Sequence, residues 1–509
     1  MRVHFIIPSA ILVFIIFTGA VNAQITLGGQ LRTRAEFRNG TGTLRLINND
    51  PAFFLSQRTR LTFQYKQSRV IFHTTVQDVR VWGQDASTIS TADGSKLGVH
   101  EAWAEVILTN KKDGSFKKPS VEYFSIKTGR QELNYDDGRL LGDHDWAQQA
   151  RRHDALVFKL QDKGWQADAG FAFSRNTDAF NYNGNYYTPA NIPPVIKDSK
   201  GFLVASPAGY LPLVDNTGFS SKTGSPAVSN PASTNRLMQM YKSLQYLYIS
   251  KTTGETKVSG LIIADQFGKS KLDSVQSSFV NSIPGYVYGY NYNQKGVHGR
   301  YTTGIFMNSK AGKKKNTTLT AGIYYQGGKD ISGNNLSALM AYANVNAAVN
   351  KFSFGAGVDY LSGNDAFATS STNHRFDPLY GSPHESWGYM DFFYAGTGSA
   401  PGGLVNPHVK LQYDSDNKRL VLALKYHYFA LASAMKNNIG NKLNSSLGSE
   451  VDAVLVYSLN KITALEWGGS LLFASKTMEY AKGISPGTSK LNGQWLFLQL
   501  NIKPEFILK

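Results

Sequence analysis

Arginines at alternate positions are the residues of this chain best suited to chemistry. In Gln30-Leu31-Arg32-Thr33-Arg34-Ala35-Glu36-Phe37-Arg38 every second residue is polar or charged, with Leu31, Thr33, Ala35 and Phe37 between them. Arg58, Arg60 and Lys66 repeat the pattern against Leu61, Phe63 and Tyr65. Guanidinium groups are fixed forks of donors that match carboxylates, and they stay charged at physiological pH. Around a narrow wet path such groups attract anions and repel cations. Arg32, Arg34, Arg58 and Arg60 are therefore the first candidate anion-binding residues. Lys127, Arg130, Arg152, Lys410, Lys425 and His427 are further candidates, in later strands or at their ends. The competing reading is that these cations only pair with Glu36, Glu101, Glu105, Asp168, Asp359, Glu450 and Glu466 to fill an interior.

Two other segments concentrate reactive side chains. Residues 129–154 hold Asp136, Asp137, Asp143 and Asp145 beside His144, His153, Arg139, Arg151 and Arg152. Carboxylates and imidazoles so close invite a calcium or transition-metal reading. The spacing lacks the alternate ligands of an EF-hand loop, and interleaved arginines would repel a cation, so an Arg–carboxylate network holding an inward-folded loop is the stronger expectation. In Phe376-Asp377-Pro378-Leu379-Tyr380-Gly381-Ser382-Pro383-His384 and the following Trp387–Phe393 run, His384 and Asp391 are candidate polar contacts of a self-packed loop. No serine, cysteine or second acid stands near His384 in a triad pattern. Walker, zinc-protease and dinucleotide motifs are missing, and no cofactor is expected.

The elements that must position these groups are strands. Successive strand side chains point to opposite faces, so the arginine segments have one charged and one lipid-compatible face. Eighteen candidate strands run from 25–38 to 493–503, several with clean alternation, as in Phe352, Phe354, Ala356, Val358 and Tyr360 against Ser353, Gly355, Gly357 and Asp359. A phase slip near Gln77-Asp78 predicts a β-bulge. Connections after odd-numbered strands are mostly long, and those after even-numbered strands mostly short, such as Lys66-Gln67-Ser68 and Leu459-Asn460-Lys461. Residues 110–120 and 328–335 fit this rule less well. Short periplasmic turns opposite long outer loops mark outer-membrane barrels, whose exterior is apolar and whose lumen is polar. The even count puts both ends on the periplasmic side. The longest connection, 176–239, is a surface loop or lid.

Composition agrees. A basic start at Met1, Arg2 and His4, an apolar run over Phe5–Phe17 and small residues up to Ala23 read as a cleaved signal peptide covering 1–23, leaving 24–509 as one barrel domain. No later run is long and apolar enough for a spanning helix. There is no cysteine, and 27 Tyr with 29 Phe suit interfacial girdles. Mean hydropathy is −0.28, too polar for a helical membrane protein. Formal net charge is +17, and an exported basic chain without nucleic-acid motifs points to acidic small molecules, acidic polysaccharide or lipopolysaccharide as partners.

The chain resembles the alginate export family of outer-membrane proteins in a Bacteroidetes-type form. The resemblance is carried by Gly129-Arg130-Gln131-Glu132-Leu133, Arg139-Leu140-Leu141-Gly142 with Trp146, Leu361-Ser362-Gly363-Asn364-Asp365, the Phe376–His384 loop, Gly388-Tyr389-Met390-Asp391, Tyr426-His427-Tyr428-Phe429 and Gly448-Ser449-Glu450-Val451-Asp452. It implies an eighteen-stranded monomeric barrel, with Arg130 and Arg152, and less directly Arg32, Arg34, Arg58 and Arg60, lining a pore for anionic polysaccharide. The end departs from the usual aromatic terminus, since Phe506 is followed by Ile507-Leu508-Lys509. The expected protein is thus a passive outer-membrane channel and not an enzyme, alone or with a periplasmic export scaffold. A small-anion porin and a plugged adhesive barrel are the alternatives.

Overall fold

Period-two alternation becomes wall and lumen. The computed structural model describes residues 24–67, 69–83, 97–114, 120–174, 192–228, 241–393 and 398–508; the expected signal peptide lies outside them. The strands are β1 (Gln24–Asn39), β2 (Ala52–Gln67), β3 (Val70–Val81), β4 (Leu97–Asn110), β5 (Tyr123–Gln131) and β6 (His153–Asp162). Next come β7 (Trp165–Phe173), β8 (Ser243–Thr253), β9 (Thr256–Gly268), β10 (Val297–Ala311), β11 (Thr317–Lys329) and β12 (Asn335–Val349). The wall ends with β13 (Phe352–Leu361), β14 (Leu404–Asp414), β15 (Leu420–Ala430), β16 (Ser446–Ser458), β17 (Thr463–Ala474) and β18 (Asn492–Ile502).

Each strand pairs antiparallel with its neighbours in sequence, and β1 closes on β18 with Leu31 opposite Ile502 and Asn39 opposite Gln494. Closure leaves no sheet edge, which hydrocarbon requires. Each of the eighteen strands expected from alternation is present. After Pro504 the chain resumes its place beside β1 over Glu505–Leu508, Leu508 opposite Ile25, so the described ends meet at one rim.

Leu61, Phe72, Ile262, Ile305, Ile323, Phe354, Leu424 and Leu498 stand exposed on the outside, while Arg32, Arg58, Asp168, Asp265, Gln326, Asp359, Asn406 and Glu450 are buried within. This is the apolar exterior and polar interior of an outer-membrane barrel. The bulge expected near Gln77-Asp78 lies two residues away and on the partner strand. Thr75 and Val76 oppose Glu101 and Val99, leaving His100 as the extra residue of β4.

Alternation did not announce a second sheet outside the barrel. Within the described part of loop 176–239, Tyr210–Val214 pairs with Ser225–Pro226 and with Ile283–Asn291, which in turn pairs with Lys271–Val280. Two long outer connections thus form one four-stranded structure.

Candidate functional site

Two outer connections, 132–152 and 362–403, turn into the barrel instead of outward. They carry apolar residues that can face neither water nor, from a loop, lipid. Leu140, Leu141, Phe376, Leu379, Tyr380, Trp387, Met390, Phe392 and Phe393 are all buried, in one cluster inside the lumen. The two loops meet through a parallel bridge between Leu141 and Tyr380. Tyr380 N–H donates to Leu140 O at 3.0 Å, Gly142 N–H to Tyr380 O at 3.1 Å and Ser382 N–H to Gly138 O at 2.7 Å. A side chain at Gly381 would strike the Arg139 carbonyl, so this close approach needs glycine. Leu379 takes a left-handed backbone (φ 52°), a conformation that side chains resist and that its complete burial holds in place.

Ion pairs moor this plug to the wall. Arg300 on β10 grips Asp265 on β9 (3.0 and 2.5 Å) and Asp377 of the second loop (2.5 Å), and Tyr380 Oη donates to Asp265 at 2.7 Å. Arg139 of the first loop joins Asp137 (3.0 Å) and the buried Asp359 of β13. Burial alone would lower the Arg139 pKa, but Asp359 and then Asp137 raise it, so the guanidinium is firmly charged. His384 Nδ1 lies 2.8 Å from Asp391, its ring stacked between Trp146 and Tyr389 at 4.5 and 5.0 Å.

The early arginines face the lumen on adjacent strands, Arg32 directly opposite Arg58. They are not bare. All four converge on the tip of the first loop. Arg58 binds Asp145 through both carboxylate oxygens (2.8 and 3.1 Å), Arg60 reaches it at 3.3 Å and Arg32 at 3.4 Å. Arg32 also donates to the carbonyls of Asp145 (2.8 Å) and Ala147 (3.1 Å) and to Gln148 Oε1 (2.9 Å). Arg34 donates to Trp146 O at 2.6 Å and lies 3.8 Å over the Trp146 ring. Burial would raise the Asp145 carboxyl, but Arg58 first, then Arg32 and Arg60, hold it below its ordinary value. The arrangement is a cradle of guanidinium donors filled by a carboxylate and carbonyls of the chain's own loop.

The alginate export family model matches residues 23–173, the stretch that builds β1–β7, the arginine cradle and the first inward loop. That stretch is similar to the alginate export family. Across the whole barrel, solved structures share the fold. OccAB4 of Acinetobacter baumannii is 12% identical with a TM-score of 0.53, over 95% of this chain and 98% of that one. Pseudomonas aeruginosa OpdK is 10% identical with a TM-score of 0.51, over 95% and 99%. Among curated proteins none matches. The chain is an outer-membrane β-barrel.

Within the stretch that the family model matches the remaining candidates divide. Lys127 faces the lumen, 3.8 Å over the Trp103 ring, and lines a cavity of about 220 Å³ with Lys159, Lys257 and Asp168. Arg130 does not line the lumen. Lys127 and Gln131 point inward, so Arg130 points outward, where its guanidinium grips Asp154 of β6 at 2.8 and 3.0 Å. Arg152 is half-buried just before β6, within electrostatic reach of Arg130, Asp154 and Arg60. The acids proposed for a metal do not converge. Asp136 accepts from Tyr248 and Ser259 and pairs with Lys257, Asp137 is on Arg139, Asp143 is near Asn134, and Asp145 is on the arginines. Among the described residues His100, Glu101 and Glu132 do cluster, yet Arg60 places a cation 3.0 Å from the His100 ring nitrogen that would ligate.

Of the acids expected to pair with lumen cations, Glu36 meets Arg38 (2.7 Å), Glu105 meets Lys159 (3.7 Å) and Asp359 meets Arg139. Glu450 instead accepts from Met390 N–H (2.9 Å) and Glu466 from Gln499 (2.7 Å). The Asp265–Arg300 anchor escaped sequence reasoning. Its one signal is an acid ending the apolar run Leu261-Ile262-Ile263-Ala264. Lys425 faces the lumen and donates to Glu385 O at 2.5 Å.

Proposed function

We propose that this barrel is a passive, anion-preferring conduit, with an alginate-like polysaccharide as its cargo, and that it has no catalytic role. The observation that carries the reading is the convergence of three guanidiniums, Arg32, Arg58 and Arg60, on one carboxylate inside the lumen, with Arg34 on the neighbouring Trp146. A wall that recognises Asp145 and neighbouring carbonyls has the donors to recognise an acidic sugar chain in the same place. The match to the alginate export family over residues 23–173 supports it. On this reading residues 1–23 are cleaved on export, the barrel works as a monomer among outer-membrane lipids and lipopolysaccharide, and a periplasmic scaffold hands over the polymer.

A second reading, uptake of small carboxylates, is favoured by the two inward loops, whose buried apolar cluster fills part of the lumen beside cavities of about 220 and 310 Å³. One fold neighbour, OpdK of Pseudomonas aeruginosa, has been solved with vanillate. Reversal potentials in planar bilayers test both. The expected result is chloride preferred over potassium, with polyuronate added on one side interrupting the current. Chloride selectivity without polyuronate block selects the second reading, and a cation-selective channel overturns both.

A further inference from the structure

A different part of the lumen has cations without a carboxylate partner among the described residues. On β12–β15 two rungs lie side by side, Asn344–Gly357–His408–His427 and Asn346–Gly355–Lys410–Lys425, each residue directly opposite the next. Gly355 and Gly357 leave the β13 position bare. A Cβ on Gly355 would collide with Asn346 Oδ1, and one on Gly357 with Asn344 Oδ1. The missing side chains form a trough in which groups from β12 approach groups from β14. Asn344, Asn346, His408, Lys410 and Lys425, with Thr320, border a cavity of about 310 Å³.

Like charges placed directly opposite on neighbouring strands destabilise a sheet unless something neutralises them. Lys410 and Lys425 are such a pair. Lys410 makes no hydrogen bond or ion pair among the described residues, and Lys425 makes one hydrogen bond, to the Glu385 carbonyl, and lies 5.4 Å over the Tyr389 ring. The nearby acids are otherwise engaged. Asp137 and Asp359 hold Arg139, and Asp359 also lies 3.4 Å from His408. Asp452, beside Lys425 in register, is buried and accepts from Ser470 at 2.6 Å. The Glu385 carboxylate, at the cavity's edge, is exposed and forms no ion pair with either lysine. Ammonium groups are mobile point charges that suit a ligand which comes and goes, and amides and a hydroxyl beside them suit hydroxyl groups.

We infer that this trough is a binding site for one acidic, hydroxyl-bearing unit of monosaccharide size, its anionic group on Lys410 and Lys425 and its hydroxyls on Asn344, Asn346 and Thr320. The volume falls at the lower end of the range for small-molecule pockets. The inference rests on the anion-conduit reading for its physiological meaning, yet it is testable without conduction. Calorimetric titration of the detergent-solubilised full barrel with glucuronate should show saturable binding, and glucose none. Lys410→Gln and Lys425→Gln should each weaken glucuronate binding about tenfold, the loss of one charge-assisted contact. Asn346→Ala keeps both charges and should narrow the preference for glucuronate over acetate.

Heat-modifiable migration checks that each variant is folded. Absence of saturable glucuronate binding to the wild type overturns the site, as does binding unchanged in both folded lysine variants. Lysine-dependent binding in a barrel that proves cation-selective would uphold the site and sink the conduit reading alone.

Discussion

The lumen treats its cations in two ways. On β1 and β2, Arg32, Arg34 and Arg58 are almost fully buried and their donors are taken by the chain's own loop. On β14 and β15, Lys410 and Lys425 stand half-buried beside a cavity, with one backbone hydrogen bond between them. Both sets face inward, so facing alone does not decide a role. Planar forks fit a fixed target such as the Asp145–Gln148 segment, where most of their donors have an acceptor. Flexible ammoniums do not, and they stay available. The first set holds the plug, and the proposed site uses the second.

The sharpest way to break this contrast is the double variant Arg32→Gln, Arg58→Gln. It leaves Asp145 and the loop carbonyls short of partners; Asp145 is partly exposed, so the loss is that of charged hydrogen bonds, roughly 1–3 kcal/mol. The expected outcome is a several-fold rise in single-channel conductance and protease cleavage within 132–152. Conductance equal to wild type would mean the cradle does not hold the plug. Tyr380→Ala should come next. Its ring is fully buried between the loops and its hydroxyl is on Asp265, so a loss on the scale of large aromatic truncations, about 3–5 kcal/mol, is expected in the second loop. Bilayer recordings should show a higher but unchanged-selectivity current.

Acid sharpens the contrast more gently. The Asp145 pKa is depressed in the folded chain, so its contribution is complete above the ordinary carboxylate value of 3.8 and disappears only as pH falls through the lower folded value. Conductance should therefore be flat from about pH 7 to about pH 5 and rise in stronger acid. Asp145→Asn should shift that behaviour to neutral pH. The smallest effect belongs to Arg130→Ala. Its partner Asp154 is on the outer face, and an exposed pair is worth about 0–1 kcal/mol, so ion selectivity should not move.

The wall was legible because alternation is a local signal, repeated in every strand. Facing followed from it, including that of Arg32, Arg34, Arg58 and Arg60. The Arg130 assignment conflicts with the same rule, since residues three apart cannot share a strand face and Lys127 already points inward. What the arginines hold was not legible, because Asp145 lies 113 residues from Arg32 and nothing local links them. The lysine pair is a register fact, set by strands that alternation locates only to within a few residues. The outer sheet escaped for a related reason, as its strands come from two separate loops and no inward face imposes a pattern on them.

The bridge between the two inward loops also sets an order of events. His144 N–H donates to Ser382 Oγ across 238 residues of chain, and the wall must already be complete on both sides for these groups to meet. Closing so long a span is slow, and nothing in either loop alone offsets its entropic cost. A barrel in the course of assembly is therefore expected to be hollow, and the plug to be the last part to order and the first to leave under denaturant. For a time after insertion this wall should be a wide, unselective hole, which ties the safety of the membrane to the speed of the final docking step.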